Sequence, residues 1–159
     1  MSKITPCLWF NGVAEEAANF YVSLLPDSRV DKVQRSPADN PSTPAGAVLL
    51  VEFTLAGQLF QGLNGGPQFP FTEAVSFSVE CEDQEEVDRL WDALTADGGK
   101  PVQCGWLKDR YGLSWQIVPK AMGRLMAGGD PAGAKRAFEA MMNMVKLDVA
   151  ELERAYRGE

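Results

Sequence analysis

No histidine occurs in the 159 residues. A Ser-His-Asp triad, a His-ligated zinc centre and an imidazole general base are therefore all excluded. Cysteine is scarce: Cys7, Cys81 and Cys104 form no C-x-x-C pair, and an odd count without a secretory leader points to reduced thiols in a cytoplasmic chain. Basic residues are outnumbered, with 15 Lys+Arg against 22 Asp+Glu, a formal net charge of −7 and a pI of about 4.7. That balance argues against a surface built to neutralise nucleic-acid phosphates. No apolar run approaches the roughly 20 residues of a membrane span, and Met1–Pro6 has no apolar signal core. What is present is ordinary for a globular chain, 45% hydrophobic and 23% charged residues, enough for one compact domain or two small modules.

Residues 4–10 are rich in β-formers, and Pro6 confines that strand to an edge or a beginning. Asn11-Gly12 breaks the run and can cap a helix. Val13, Ala17, Phe20, Tyr21 and Leu24 then mark one helical face, ended by Pro26-Asp27. Residues 29–36 alternate loosely as a strand, and four Pro or Gly residues between 36 and 46 make an exposed loop. Strands follow at 47–55 and 58–63, turning at Gly57, and Asn64-Gly65-Gly66-Pro67 closes this half.

The second half repeats the plan. Residues 74–80 alternate as a half-buried strand, and Asp83-x-x-Glu86 is an acidic capping box opening a helix with the stripe Val87, Leu90, Trp91, Leu94. Gly98-Gly99 ends it. Short strands are expected at 102–104 and 106–108, then a firm one at 113–118 after the turn 109–112. Laying residues 9–24 over 79–94, an offset of 70, aligns Ala17, Phe20, Tyr21 and Leu24 with Val87, Leu90, Trp91 and Leu94. Each half reads strand, helix, strand, strand, strand, an internal βαβββ duplication.

The remainder is helical: a short segment through Met122, Leu125 and Met126, then Asp130-Pro131 opening a helix expected to reach Val145, and Asp148-x-x-Glu151 opening a last one. Five of six methionines lie after Pro119. A methionine-rich face suits an interface or lid, and equally plain core packing. The expected organisation is residues 1–119 as two modules, about 1–67 and 68–119, with 120–159 as a helical extension packing on the domain or on a dimer interface.

Leu8-Trp9-Phe10-Asn11-Gly12 before Glu15-Glu16-Ala17 and Phe20-Tyr21, the stretch Cys104 to Pro119, and Ala140-Met141-Met142-Asn143-Met144-Val145-Lys146-Leu147-Asp148 resemble the PhnB-like branch of the vicinal oxygen chelate superfamily. That superfamily includes glyoxalase I, extradiol dioxygenases and bleomycin-resistance proteins. The resemblance covers essentially the whole chain and implies an α+β fold, two βαβββ modules curling into a cup. In metal-dependent relatives four ligands, usually His, Glu or Gln, come from the first and fourth strands of each module. Here those positions fall at Thr5 or Pro6, Gln61, Ala74 and Gln116. Two neutral amides without imidazole or carboxylate companions hold a transition metal poorly, so neither a metal nor another cofactor is expected. The methyltransferase label that such sequences often carry finds no glycine-rich strand-to-helix turn to hold a methyl-donor nucleotide.

Alternation selects the lining of the cup. If Gln116 points inward, so do Ser114 and Val118, while Trp115 and Ile117 face the helices. If Ala74 points inward, Ser76 and Ser78 line the same face, and Gln61 brings Leu59 and Leu63 with it. Glu52, in an otherwise apolar strand, either faces solvent or is buried with a raised pKa as a general base. Cys7 and Cys81 read as small buried hydrophobes. Cys104, beside Gly105 and Trp106, is either another such residue or a thiolate nucleophile, with Lys108 as its nearby cation. Trp9, Trp106 and Tyr111 can wall a planar ligand or simply pack, and Lys108 and Arg110 can orient an anion or remain solvated. Three functions stand: a small-molecule binding protein without a metal, using Gln61, Ser76, Ser78, Trp106, Lys108, Ser114 and Gln116; an enzyme of unknown reaction using Glu52 or Cys104; or a metal-dependent lyase, dioxygenase or isomerase. A homodimer is expected, because curved sheets leave edges that relatives cover by pairing.

Overall fold

The computed structural model describes residues 2–159 and divides into two compact units that meet in sequence at Pro70/Phe71. The fold is α+β. The first unit runs β1 (Cys7–Phe10), α1 (Ala14–Val22), β2 (Arg29–Arg35), β3 (Val48–Leu55) and β4 (Gln58–Asn64). Its sheet has the order β1-β4-β3-β2, with β1 parallel to β4 and the other pairs antiparallel. Pro6 precedes β1 at the sheet's edge, where a missing N–H costs nothing and its carbonyl still accepts from Gln61 N at 2.9 Å. Leu8, Phe10, Val51, Phe53, Leu55 and Phe60 are buried with Ala14, Ala17, Ala18 and Tyr21 of α1. Tyr21 and Phe53 rings lie 6.3 Å apart, which identifies the helix-covered face.

Asn11-Gly12 does not cap α1. Val13 occupies the cap position without a side-chain bond, and Asn64 supplies the acceptor instead, its Oδ1 taking Ala14 N at 2.9 Å while its Nδ2 donates to Val48 O at 3.0 Å.

The second unit runs β5 (Ser76–Cys81), α2 (Gln84–Thr95), β6 (Lys100–Pro101), β7 (Trp106–Lys108), β8 (Ser114–Pro119), α3 (Lys120–Met126), α4 (Pro131–Met142) and α5 (Val149–Arg157). Its sheet repeats the first in the order β5-β8-β7-β6, again with the first and last strands parallel. The capping box forms: Asp83 Oδ1 accepts from Glu86 N at 3.0 Å, and Glu86 Oε1 accepts from Glu82 N at 2.9 Å. The helices of the two units correspond at the offset of 70, Ala14 to Gln84, but the strands need 71, Cys7 to Ser78. Three residues connect β1 to α1 and two connect β5 to α2. A one-residue slip exchanges the faces of a strand, so the helix alignment misassigns strand side chains.

Three other expectations need correction. Residues 102–104 form a turn and the strand comes earlier, at Lys100–Pro101. Cys104 takes a left-handed φ of 58° there, and its N–H leaves the sheet for Met144 O at 2.8 Å. Ala74 sits in a turn before β5 rather than on it. α4 ends at Met142, short of Val145, whose carbonyl accepts from Gly105 N at 2.8 Å.

The tail belongs to the second unit. Met122, Leu125, Ala137, Leu147 and Leu152 form its core, against which Val118 of β8, Met141 and Met144 pack. Gln84 ties it to α2, donating to Leu147 O at 3.1 Å and accepting from Val149 N at 2.7 Å. Met122 is part of the core, whereas Met126 and Met142 are exposed together with Phe138 and Val145.

Candidate functional site

In each sheet the residues out of phase with the helix-covered face form an open face, and strand register places them in rows. In the first unit one row crosses all four strands: Cys7 on β1, Gln61 on β4, Glu52 on β3 and Lys32 on β2. The next row is Trp9, Leu63, Leu50 and Gln34. Neighbouring strands lie about 4.8 Å apart, so each row spans about 14 Å, the length of a small organic molecule. Gln61, Glu52, Leu63 and Leu50 are half-buried. Trp9 is fixed at the top of the face: its Nε1 donates to Gly66 O at 2.8 Å and Phe69 packs edge-on at 4.9 Å. Gly65 makes this possible, since a Cβ there would lie 2.4 Å from the indole.

Glu52 stands on this face level with Gln61, flanked by Lys32. Cys7, expected to be buried, is exposed at the sheet's edge, and desolvation of its sulfur pushes the thiol pKa up. Cys81 is buried as a small hydrophobe, and burial pushes its thiol up to about 12.

The second sheet brings Ser76, Ser78, Trp106, Lys108, Ser114 and Gln116 onto one face. Ser78, Gln116 and Trp106 share a row, and Ser76, Ser114, Lys108 and Lys100 share the next. Trp115, Ile117 and Leu107 lie on the opposite, buried face. Gln116 Nε2 donates to Ser76 Oγ at 3.0 Å, a diagonal contact that fixes the amide's orientation. Lys108 pairs with Glu73. Hydrogen bonding and charge from that ammonium hold the Glu73 carboxyl below the usual carboxylate range. Arg110 pairs with Asp97 at 3.4 Å.

Cys104 is not brought to this face. It lies in the turn before β7, and its Sγ contacts Met142 O at 3.6 Å.

Sequence reasoning missed Asp109. Its carboxylate, 2% exposed, accepts from Tyr111 N at 2.8 Å, Leu113 N at 3.0 Å and Trp115 Nε1 at 2.9 Å. It shapes the turn that aims β8, and the Asp-x-x-Gly pattern at 109–112 was its available signal.

Neither open face by itself carries a donor set that fits a divalent transition metal. On the first sheet the residue level with Gln61 is Cys7 rather than Thr5 or Pro6, and on the second the residue level with Gln116 is Ser78 rather than Ala74. The first pair offers a thiol of raised pKa and an amide, with the Glu52 carboxylate beside them, and the second a hydroxyl and an amide. Among the described residues no group of three His, Cys, Asp or Glu side chains is arranged to hold a metal.

A sequence profile of the family described as 3-demethylubiquinone-9 3-methyltransferase matches residues 2–118. A PhnB protein from Bacillus cereus is 37% identical, with a TM-score of 0.67, covering 74% of this chain and 99% of its own. Protein PA1353 from Pseudomonas aeruginosa is 21% identical, with a TM-score of 0.55, over 75% of this chain and 98% of its own, and shares the fold. A glyoxalase/bleomycin resistance protein from Albidiferax ferrireducens T118 is 17% identical, with a TM-score of 0.47, over 74% of this chain and 99% of its own. No curated protein matches this chain significantly.

Proposed function

Since the chain belongs to the family described as 3-demethylubiquinone-9 3-methyltransferase, the PhnB-like branch of the vicinal oxygen chelate superfamily, we propose that it binds a small organic molecule on its open sheet faces without a metal. The observation that carries this is the composition of those faces. Half-buried Gln61, Leu50 and Leu63 stand in rows beside Trp9 on the first sheet, and half-buried Gln116 stands beside Trp106 with the Ser76, Ser78 and Ser114 hydroxyls on the second, the combination of apolar walls and convergent polar groups that lines ligand sites. Methyl transfer, which the family's description denotes, finds no support in the residues. The strand-to-helix connections are Asn11-Gly12-Val13, Glu82-Asp83 and the direct passage from Pro119 into α3, none of them a glycine-rich turn suited to a nucleotide.

The reading is tested by native mass spectrometry of the chain against a mixture of small aromatic and aliphatic compounds in the presence of a chelator. Adducts that form in chelator and disappear in a Gln61→Ala, Gln116→Ala double variant support it. Adducts that require added metal overturn it.

A second reading, an enzyme of unidentified reaction, is favoured by one observation. Glu52 places a carboxylate on the open face level with Gln61, where it can take a proton from a bound molecule. Glu52→Gln abolishing turnover of an identified ligand while leaving its binding intact would establish it.

We infer pairing of two chains as well, supported by the strand edges at β1, β2, β5 and β6 and by exposed Phe138, Met142 and Val145. Light scattering that returned the 17.4 kDa mass of one chain at micromolar concentration would contradict it. No helix among the described residues is long and apolar enough to cross a membrane.

A further inference from the structure

The row Ser76, Ser114, Lys108, Lys100 crosses the second sheet on its open face. It sets two hydroxyls beside two ammonium groups in a chain whose formal net charge is −7. Ser114 is 1% exposed, and its Oγ is buried with no hydrogen-bond partner among the described residues. An unpaired buried hydroxyl costs stability, and alanine at that position would avoid the cost. Lys108 next to it holds the carboxylate of Glu73, which reaches over from the turn preceding β5.

We propose that this row is a carboxylate subsite, filled in the free protein by Glu73 and opened when a ligand's carboxylate displaces it from Lys108. It rests on the small-molecule reading above and assigns the ligand's chemical class. A carboxylate has two oxygens, one for the Lys108 ammonium and one for the Ser114 proton, and bonds of this charge-assisted kind are the stronger ones. Lys100 adds a second positive charge at the end of the row. The group already seated on Lys108 is a carboxylate, which is the chemistry the position accepts. Glu73 is itself exposed and held by a solvent-screened ion pair, so it is readily exchanged. Ser114 Oγ is shielded from water, so an anion that reaches it displaces a neighbouring contact, and the exposed Glu73–Lys108 pair is the one given up in this proposal. Tethering keeps Glu73 at a high local concentration, so the wild-type chain holds a free carboxylate weakly.

Calorimetric titration with benzoate, and with benzamide as its neutral isostere, tests this in the wild type and in Glu73→Gln, Lys108→Met and Ser114→Ala variants. Benzoate is expected to bind and benzamide to bind far more weakly. Glu73→Gln should tighten benzoate about two- to fivefold, the reach of an exposed ion pair. Lys108→Met should weaken it about tenfold or more. Ser114→Ala should bind benzoate more weakly while melting no lower than wild type, a combination that a merely structural serine would not give. Benzamide binding as tightly as benzoate would overturn the carboxylate assignment and leave the small-molecule reading standing. Benzoate failing to bind even the Glu73→Gln variant, or binding it no better than wild type, would overturn the assignment too. The small-molecule reading is judged separately by the adduct experiment.

Discussion

Asn64 and Ala14 meet across fifty residues of sequence: the last residue of β4 holds the first backbone N–H of α1 at 2.9 Å. The same amide donates to Val48 O, so one side chain joins the helix, the strand it belongs to and the start of β3. Asn64→Ala takes the partner from a buried donor, Ala14 N, and from a half-buried acceptor, Val48 O, and we expect a loss of about 2 kcal/mol in urea unfolding. Asn64→Asp keeps the acceptor and should cost less.

This contact shows where sequence pattern stops. The start of α2 was legible because Asp83 and Glu86 are local. The start of α1 was not, because its acceptor arrives from another strand, and Asn11-Gly12 offered a nearer but unused candidate. β6 was misplaced for a similar reason: the left-handed turn at Cys104 depends on carbonyls of the C-terminal segment, at Met144 and Val145. By contrast, the open face of β8 followed from period two alone once Gln116 was oriented. That Ser114 would be left without a partner on that face is a property of packing, which alternation does not encode.

Gly65 has no room for a side chain. Gly65→Ala would set its Cβ 2.4 Å from the Trp9 ring, forcing the indole off Gly66 O. A red shift in tryptophan emission should accompany a loss of about 1–3 kcal/mol, the usual cost of overpacking.

Ser114→Ala should act in the opposite direction. Removing a buried hydroxyl that has no partner relieves a desolvation cost, and a gain of about 1 kcal/mol in unfolding free energy is expected. A clear loss on chemical denaturation would mean that the hydroxyl is satisfied in solution.

Cys81 predicts an alkaline limit. Its thiol is pushed from an ordinary 9.0 up to about 12 by burial, with smaller contributions from neighbouring charges. The folded state therefore keeps a proton that the unfolded state releases. Its contribution to stability is complete below pH 9.0 and is lost as pH rises toward about 12, at up to about 1.4 kcal/mol per pH unit. Cys81→Ala should flatten the decline. In the native chain at neutral pH a thiol reagent should label the exposed Cys7 and spare Cys81.

The most direct test of the account is elemental analysis of the chain, purified without chelator and without a metal-affinity column, beside ligand titration before and after chelator treatment. The account predicts far less than one transition-metal ion per chain and the same ligand affinity in both titrations. One zinc, iron, nickel or manganese ion per chain, whose removal abolishes binding, would contradict it.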